Sequence, residues 1–151
     1  RIPMKPKIII GLGNPDKEYQ QTYHNVGCLA VDSWHRGLKT DVYMNKSGQF
    51  VREALKKHKA KPEELLIVHD DSDIELGRYK LSFARNSGGH KGIENIINHL
   101  KTNKFWRLRI GIRPANEKVR VKAQDLVLKK ISLPHRKKLE KVFSEAAKII
   151  G

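Results

Sequence analysis

Lys7-Ile8-Ile9-Ile10-Gly11-Leu12-Gly13-Asn14-Pro15 is an apolar, β-branched run ended by a glycine- and proline-broken turn. Such a run, short and without a polar face, predicts a strand buried on both sides. Beyond the turn, Val26, Leu29, Ala30, Ser33 and Trp34 share one helical face. The chain then alternates between the two periods. A strand is expected over Thr40 to Met44, followed by a helix carrying Val51, Ala54 and Leu55 and stopped at Lys61-Pro62. Leu65-Leu66-Ile67-Val68 predicts a second buried strand, ending at His69-Asp70-Asp71. Tyr79, Leu81 and Phe83 alternate with Lys80 and Ser82, as on a half-exposed strand. Ile93, Ile96, Ile97 and Leu100 keep helical spacing after Gly88-Gly89. Trp106, Leu108, Ile110 and Ile112 alternate with Arg107 and Arg109 on a further strand. A last helix starts near Ser132 and Pro134 and carries Leu139, Val142, Phe143, Ala146 and Ile150.

Strands alternating with helices predict an α/β fold: a mixed, mostly parallel twisted sheet flanked by helices on both faces. With 151 residues, no internal repeat and no long linker, one domain over residues 1–151 is expected. In open sheets of this kind the working groups sit beyond the carboxyl ends of strands. Asn14, Asn45 and the cluster His69 to Asp73 are therefore expected to line one pocket.

Charge narrows the partners. Lys and Arg number 31 against 16 Asp and Glu, a net charge of +15. The isoelectric point is near 10.0 and the mean hydropathy is −0.60. A field of that sign favours a polyanion, nucleic acid first. No apolar run approaches the length of a membrane span, and the first residues lack the apolar core of a signal peptide. A lone Cys28 fits a reducing compartment, so a cytoplasmic protein is expected. Arg78, Lys80, Arg85 and Lys91 cluster around a glycine-rich loop, Arg107 and Arg109 share a strand face, and the segment Lys118 to Lys148 is basic throughout. Together these resemble a phosphate track.

Three groups carry candidate chemistry. Gly11-Leu12-Gly13-Asn14-Pro15 lacks the third glycine of a dinucleotide fingerprint, and Pro15-Asp16 stands where a helix would receive phosphate, so no nucleotide cofactor is expected. His24 has no nucleophile motif around it, and general-base work on water is the simpler role for a group titrating near neutrality. Such a base needs an acceptor on its other ring nitrogen, and Asp70, Asp71 and Asp73 are the candidates. The acidic run has neither calcium-loop nor zinc spacing, so no metal is expected. An Asx-rich turn leading into a hairpin accounts for Asp73.

The order of these motifs is similar to the bacterial peptidyl-tRNA hydrolases. Gly11 to Pro15, then Tyr19 and Thr22-Tyr23-His24-Asn25-Val26-Gly27, resembles the opening of that family. Tyr43-Met44-Asn45-Lys46-Ser47-Gly48, His69-Asp70-Asp71-Ser72-Asp73, Ser87-Gly88-Gly89-His90-Lys91-Gly92-Ile93 and Phe105 to Ile112 follow in family order. The resemblance implies a monomeric esterase that frees tRNA from peptidyl-tRNA, without metal or other cofactor. It implies His24 as the catalytic base and Asp70 as its acidic partner. By the same resemblance Asn14, Tyr19, Met44 and Asn45 line the substrate crevice and Lys80 and Arg109 grip the tRNA; the basic cluster adds Arg85 to the expected contacts with the tRNA backbone and acceptor end.

Three departures accompany the resemblance. Lys91 stands where the family usually has Asn, exchanging an amide for three donors without an acceptor. Lys91 is accordingly expected to hold a phosphate or the substrate carbonyl. The connection from Gly37 to Tyr43 is shorter than the family pattern, leaving no residues for a strand pair usual there. With the last helix expected to run to about Ile150, no C-terminal lid extension is expected. A plastid splicing cofactor resembles the same family without being a hydrolase, so a non-catalytic RNA-binding module is the alternative.

Overall fold

The computed structural model of the protein describes residues 5–115 and 122–151. The first apolar run forms β1 (Ile8–Gly11), and the face bearing Val26 and Leu29 forms α1 (Val26–Trp34). Next come β2 (Leu38–Lys39), α2 (Ser47–Lys57), β3 (Leu65–Glu75), β4 (Tyr79–Phe83) and α3 (Lys91–Leu100). The chain closes with β5 (Trp106–Arg113), the short α4 (Ala123–Leu126) and α5 (Leu133–Ile150). Among the described residues the strands form one sheet in the order β2-β1-β3-β5-β4. All pairs are parallel except β4 with β5.

The sheet divides two apolar layers because alternate strand residues point to opposite faces. Ile9, Leu66, Val68, Leu108 and Ile110 pack against α1 and α5, together with Phe143 and Val142. Ile8, Ile10, Leu65 and Ile67 face α2 and α3, against Val51, Leu55, Ile93 and Ile96. Helices on both faces are thus what a central strand apolar on both sides requires. The approach of α1 to the sheet depends on one residue without a side chain: a Cβ on Gly27 would collide with the Val68 carbonyl. That close seat brings the residues just before α1 over the middle of β3, at Asp70. Among the described residues, no helix is long and apolar enough to cross a membrane.

Three expectations need correction. The strand expected over Thr40 to Met44 is not formed; β2 is only Leu38–Lys39, and Met44–Lys46 is a 3-10 turn leading into α2. Thr40 instead uses its hydroxyl to tie down Gly13, accepting from its N–H at 3.1 Å and donating to its carbonyl at 2.9 Å. The buried strand expected to stop at His69 continues to Glu75. Pairing with β5 carries it through Asp70↔Ile110 and Asp71↔Gly111, with an irregularity before Glu75↔Arg113. Nor does Asp73 lead into a hairpin, because β4 pairs with β5 rather than with β3.

Candidate active site

His24 lies in a 3-10 turn (Tyr23–Asn25) that runs directly into α1. Its backbone is gripped from across the fold. The His24 N–H donates to the Val127 carbonyl at 2.8 Å, Tyr23 N–H to Lys129, and Thr22 bridges Lys130. Its ring meets the middle of β3, where Nδ1 stands 2.8 Å from Asp70 Oδ2. Of the three carboxylates the sequence offered as partners, the fold selects Asp70. Asp71 pairs with Arg109 at 2.9 Å, and Asp73 donates its backbone N–H to Asp71 Oδ1.

Hydrogen bonding settles where the protons sit. His90 precedes α3 and caps it: its Nδ1 accepts from the N–H groups of Gly92 and Ile93, at 3.1 and 3.2 Å. That nitrogen therefore carries no proton, and Nε2–H donates to Asp70 Oδ1 at 2.9 Å. Serine, threonine, aspartate or asparagine would cap as well. Histidine adds a second nitrogen that reaches the carboxylate. His69 is enclosed completely; its Nδ1–H donates to the Asp70 carbonyl at 2.7 Å, and its Nε2 accepts from Arg107 Nε at 3.1 Å. The ring centroids of His90 lie 5.1 Å from those of His24 and 4.8 Å from those of His69.

The electrostatics follow. Burial opposes the charged carboxylate of Asp70, yet the two histidines beside it hold its pKa far below the usual range. Burial also opposes charging His24; the attraction and hydrogen bond of Asp70 outweigh it and the nearby Lys91 charge, raising the His24 pKa. With Nδ1–H committed to Asp70, the free lone pair of His24 is on Nε2. His69 is driven well below the ordinary histidine pKa by burial first, then by His90 and Arg107.

A cleft of about 1210 Å³ opens over this group. It gathers Asn14, Tyr19, Met44, Asn45 and Lys91 with His24 and Asp70, seven of the residues singled out in the sequence. Asn14 accepts the Met44 N–H on Oδ1 at 2.8 Å, which leaves its amide N–H groups for a ligand. Met44 is buried against the α2–α3 layer, whereas Asn45 and Lys91 are exposed. The basic positions are elsewhere. Lys80 and Arg85 are exposed on and beyond β4, outside the cleft lining. Arg107 and Arg109 do share one face of β5, but that face is covered. Arg109 donates to Asp71 and to Ser82 Oγ, and Arg107 to His69 and two backbone carbonyls. The expected exposed arginine pair is corrected accordingly. Lys118 and Arg120 of the basic segment lie outside the described residues. Sequence reasoning placed His69 in the pocket cluster without a role and gave His90 none, because the contacts His90 Nε2–Asp70 and His69 Nε2–Arg107 join separate elements; for His90 the signal at hand was a histidine just ahead of an apolar helical pattern.

A ring nitrogen of His24, a carboxylate oxygen of Asp70 and a ring nitrogen of His90 lie within 4.8 Å of one another, near enough to share an ion. The donor set does not fit one. His90 Nε2 holds its proton because Nδ1 is occupied by two N–H donors, so it has no lone pair to offer.

Comparison with known proteins agrees with this geometry. The family model described as peptidyl-tRNA hydrolase matches residues 8–42 and 36–151. A peptidyl-tRNA hydrolase of Aquifex aeolicus is 35% identical, with 96% of this chain and 86% of its own length covered. One from Sulfurihydrogenibium is 38% identical over 95% and 88%. The crystal structure of the Acinetobacter baumannii peptidyl-tRNA hydrolase superposes with a TM-score of 0.84 at 31% identity, covering 97% of this chain and 88% of that one. The Aquifex alignment extends over 171 positions, more than this chain's 151 residues, and the two matched segments overlap at residues 36–42. The relative therefore carries residues without counterpart here, and the overlap falls at the short Gly37–Tyr43 connection. Sequence, fold and the residues around the cleft agree: the chain belongs to the peptidyl-tRNA hydrolase family.

Proposed function

We propose that the protein hydrolyses the ester joining peptide to tRNA in peptidyl-tRNA, releasing free tRNA and peptide. The observation that carries this reading is the His24 Nδ1–Asp70 Oδ2 contact of 2.8 Å inside a cleft of about 1210 Å³. His24 Nε2 removes a proton from water as the water oxygen attacks the ester carbonyl. Asp70 holds the ring in that tautomer and stabilises the imidazolium that forms. Negative charge then develops on the former carbonyl oxygen. The amide donors of Asn14 and Asn45 and the ammonium of Lys91 are the groups in the cleft able to receive it. Collapse expels the tRNA ribose oxygen, which takes the proton back from His24. An alcohol is a serviceable leaving group, so an oriented base and a few donors suffice and no cofactor is required.

Tyr19 and Met44 shape the wall against the peptide end. Lys80 and Arg85, exposed and cationic, hold tRNA phosphates, while Arg109 acts by keeping Asp71 and β4 in place. On this reading the protein acts as a monomer, and a substrate made in translation supports the cytoplasm as its place of work. The test is release of free tRNA from N-blocked aminoacyl-tRNA, with and without EDTA. Turnover that persists in EDTA and disappears in His24→Ala, with tRNA binding retained, supports the reading. Clean tRNA binding without release by the folded wild type would overturn it.

A further inference from the structure

Arg107 is the largest of the fully buried side chains, 2% exposed. Among the described residues it has no carboxylate within ion-pairing distance. Asp71, whose charge reaches it, is engaged by Arg109. Its acceptors are all neutral: His69 Nε2 at 3.1 Å, the Arg85 carbonyl at 3.0 Å and the Asn86 carbonyl at 2.7 Å. A buried cation without an anion is costly, and an apolar side chain of similar volume would fill the space more cheaply. The planar fork of a guanidinium is instead suited to joining acceptors from separate elements.

The three acceptors lead to both sides of the Asp70 carboxylate. Through His69, Arg107 fixes the ring whose Nδ1–H holds the Asp70 carbonyl at 2.7 Å. Through Arg85 and Asn86 it holds the loop that delivers His90. That loop continues through Ser87, whose carbonyl accepts the His90 N–H at 3.1 Å, and His90 donates to Asp70 Oδ1. Asp70 in turn orients His24.

We propose that Arg107, acting with His69, is a positioning residue of the reaction: a buried clasp that joins β5 to the Asp70 backbone and to the loop carrying His90, and so sets the carboxylate against His24. It touches neither substrate nor reacting atoms. This inference rests on the hydrolase reading above. Because the clasp sets the geometry of the base and adds no substrate contact, its loss appears in kcat and not in KM.

The test is steady-state release of tRNA from N-blocked aminoacyl-tRNA by wild type, Arg107→Lys and His69→Gln, with circular dichroism and thermal melting of each. Lysine keeps the charge but cannot span three acceptors. Glutamine keeps an acceptor for Arg107 but loses the donor to the Asp70 carbonyl. The expected result for each folded variant is a kcat lowered by about tenfold to a hundredfold, with KM within about twofold of wild type. An unchanged kcat in either folded variant, or a kcat loss that merely follows the unfolded fraction, overturns the clasp. If Arg107→Lys does not fold, His69→Gln alone decides by the same criterion. A wild type that fails to turn over would instead defeat the hydrolase reading, so the two failures are distinguishable.

Discussion

At the scale of single residues, the pair His24 and Asp70 sets a pH dependence. The proposed mechanism needs His24 unprotonated, and its pKa lies above the ordinary histidine value because Asp70 outweighs burial and Lys91. The acid limb of kcat/KM should therefore have its midpoint above that of a free histidine. Lys91→Asn removes a charge that lowers the His24 pKa, so the limb should move to still higher pH; a pH–rate profile of both proteins reads this directly, and a shift to lower pH would contradict it. Asp70→Asn keeps the shape but presents an amide whose NH₂ can drive His24 into the wrong tautomer. By analogy with other buried carboxylates behind a histidine base, kcat should fall on the order of 10³–10⁴-fold with tRNA affinity retained. The acidic cluster is visible in the sequence by residue type, whereas His24 stands out among the seven histidines through the family resemblance. Residue types alone leave Asp70, Asp71 and Asp73 open and only the family resemblance points to Asp70; in the structure the difference comes from which side of β3 each oxygen leaves and from Arg109 claiming Asp71.

At the scale of elements, the capping geometry predicts local stability. Ser132 caps α5, its hydroxyl accepting the His135 N–H, with Pro134 in the first turn. Ser132→Ala should destabilise the protein by about 1 kcal/mol, measurable by urea unfolding, and leave kcat unchanged. Arg109 is a stronger case. It ties β5 to Asp71 on β3 and to Ser82 on β4 with its side chain nearly enclosed. Arg109→Met should destabilise by about 3 kcal/mol, since Asp71 is left half-buried without its partner. If Arg109 only gripped tRNA, urea unfolding of the variant would match wild type while binding alone weakened. The strands and helices with clean periodicity, such as Ile93 to Leu100 and Trp106 to Ile112, lie where the sequence places them. The elements that differ are Thr40–Met44, where the Thr40 hydroxyl is taken up by Gly13, and the second half of β3, where Asp70 to Asp73 line the cleft.

At the scale of the whole molecule, +15 of net charge should make binding of the proposed tRNA substrate steeply sensitive to salt. Lys80→Ala and Arg85→Ala should each reduce the slope of log affinity against log salt by about one. Filter binding over a salt series checks this, and parallel slopes would remove these residues from the phosphate contacts. The sequence by itself determined the class of fold, the sign of the partner's charge and the residue types available for chemistry, because hydrophobic period, net charge and donor inventory are local properties of a chain. Only the tertiary structure decided which of those residues meet. It set His90 and His69 around Asp70 and turned Arg107 and Arg109 from an expected phosphate track into buried connections. The reason is physical: on an alternating strand a polar face can meet water or a covering loop, and the pattern of the strand is the same in both cases.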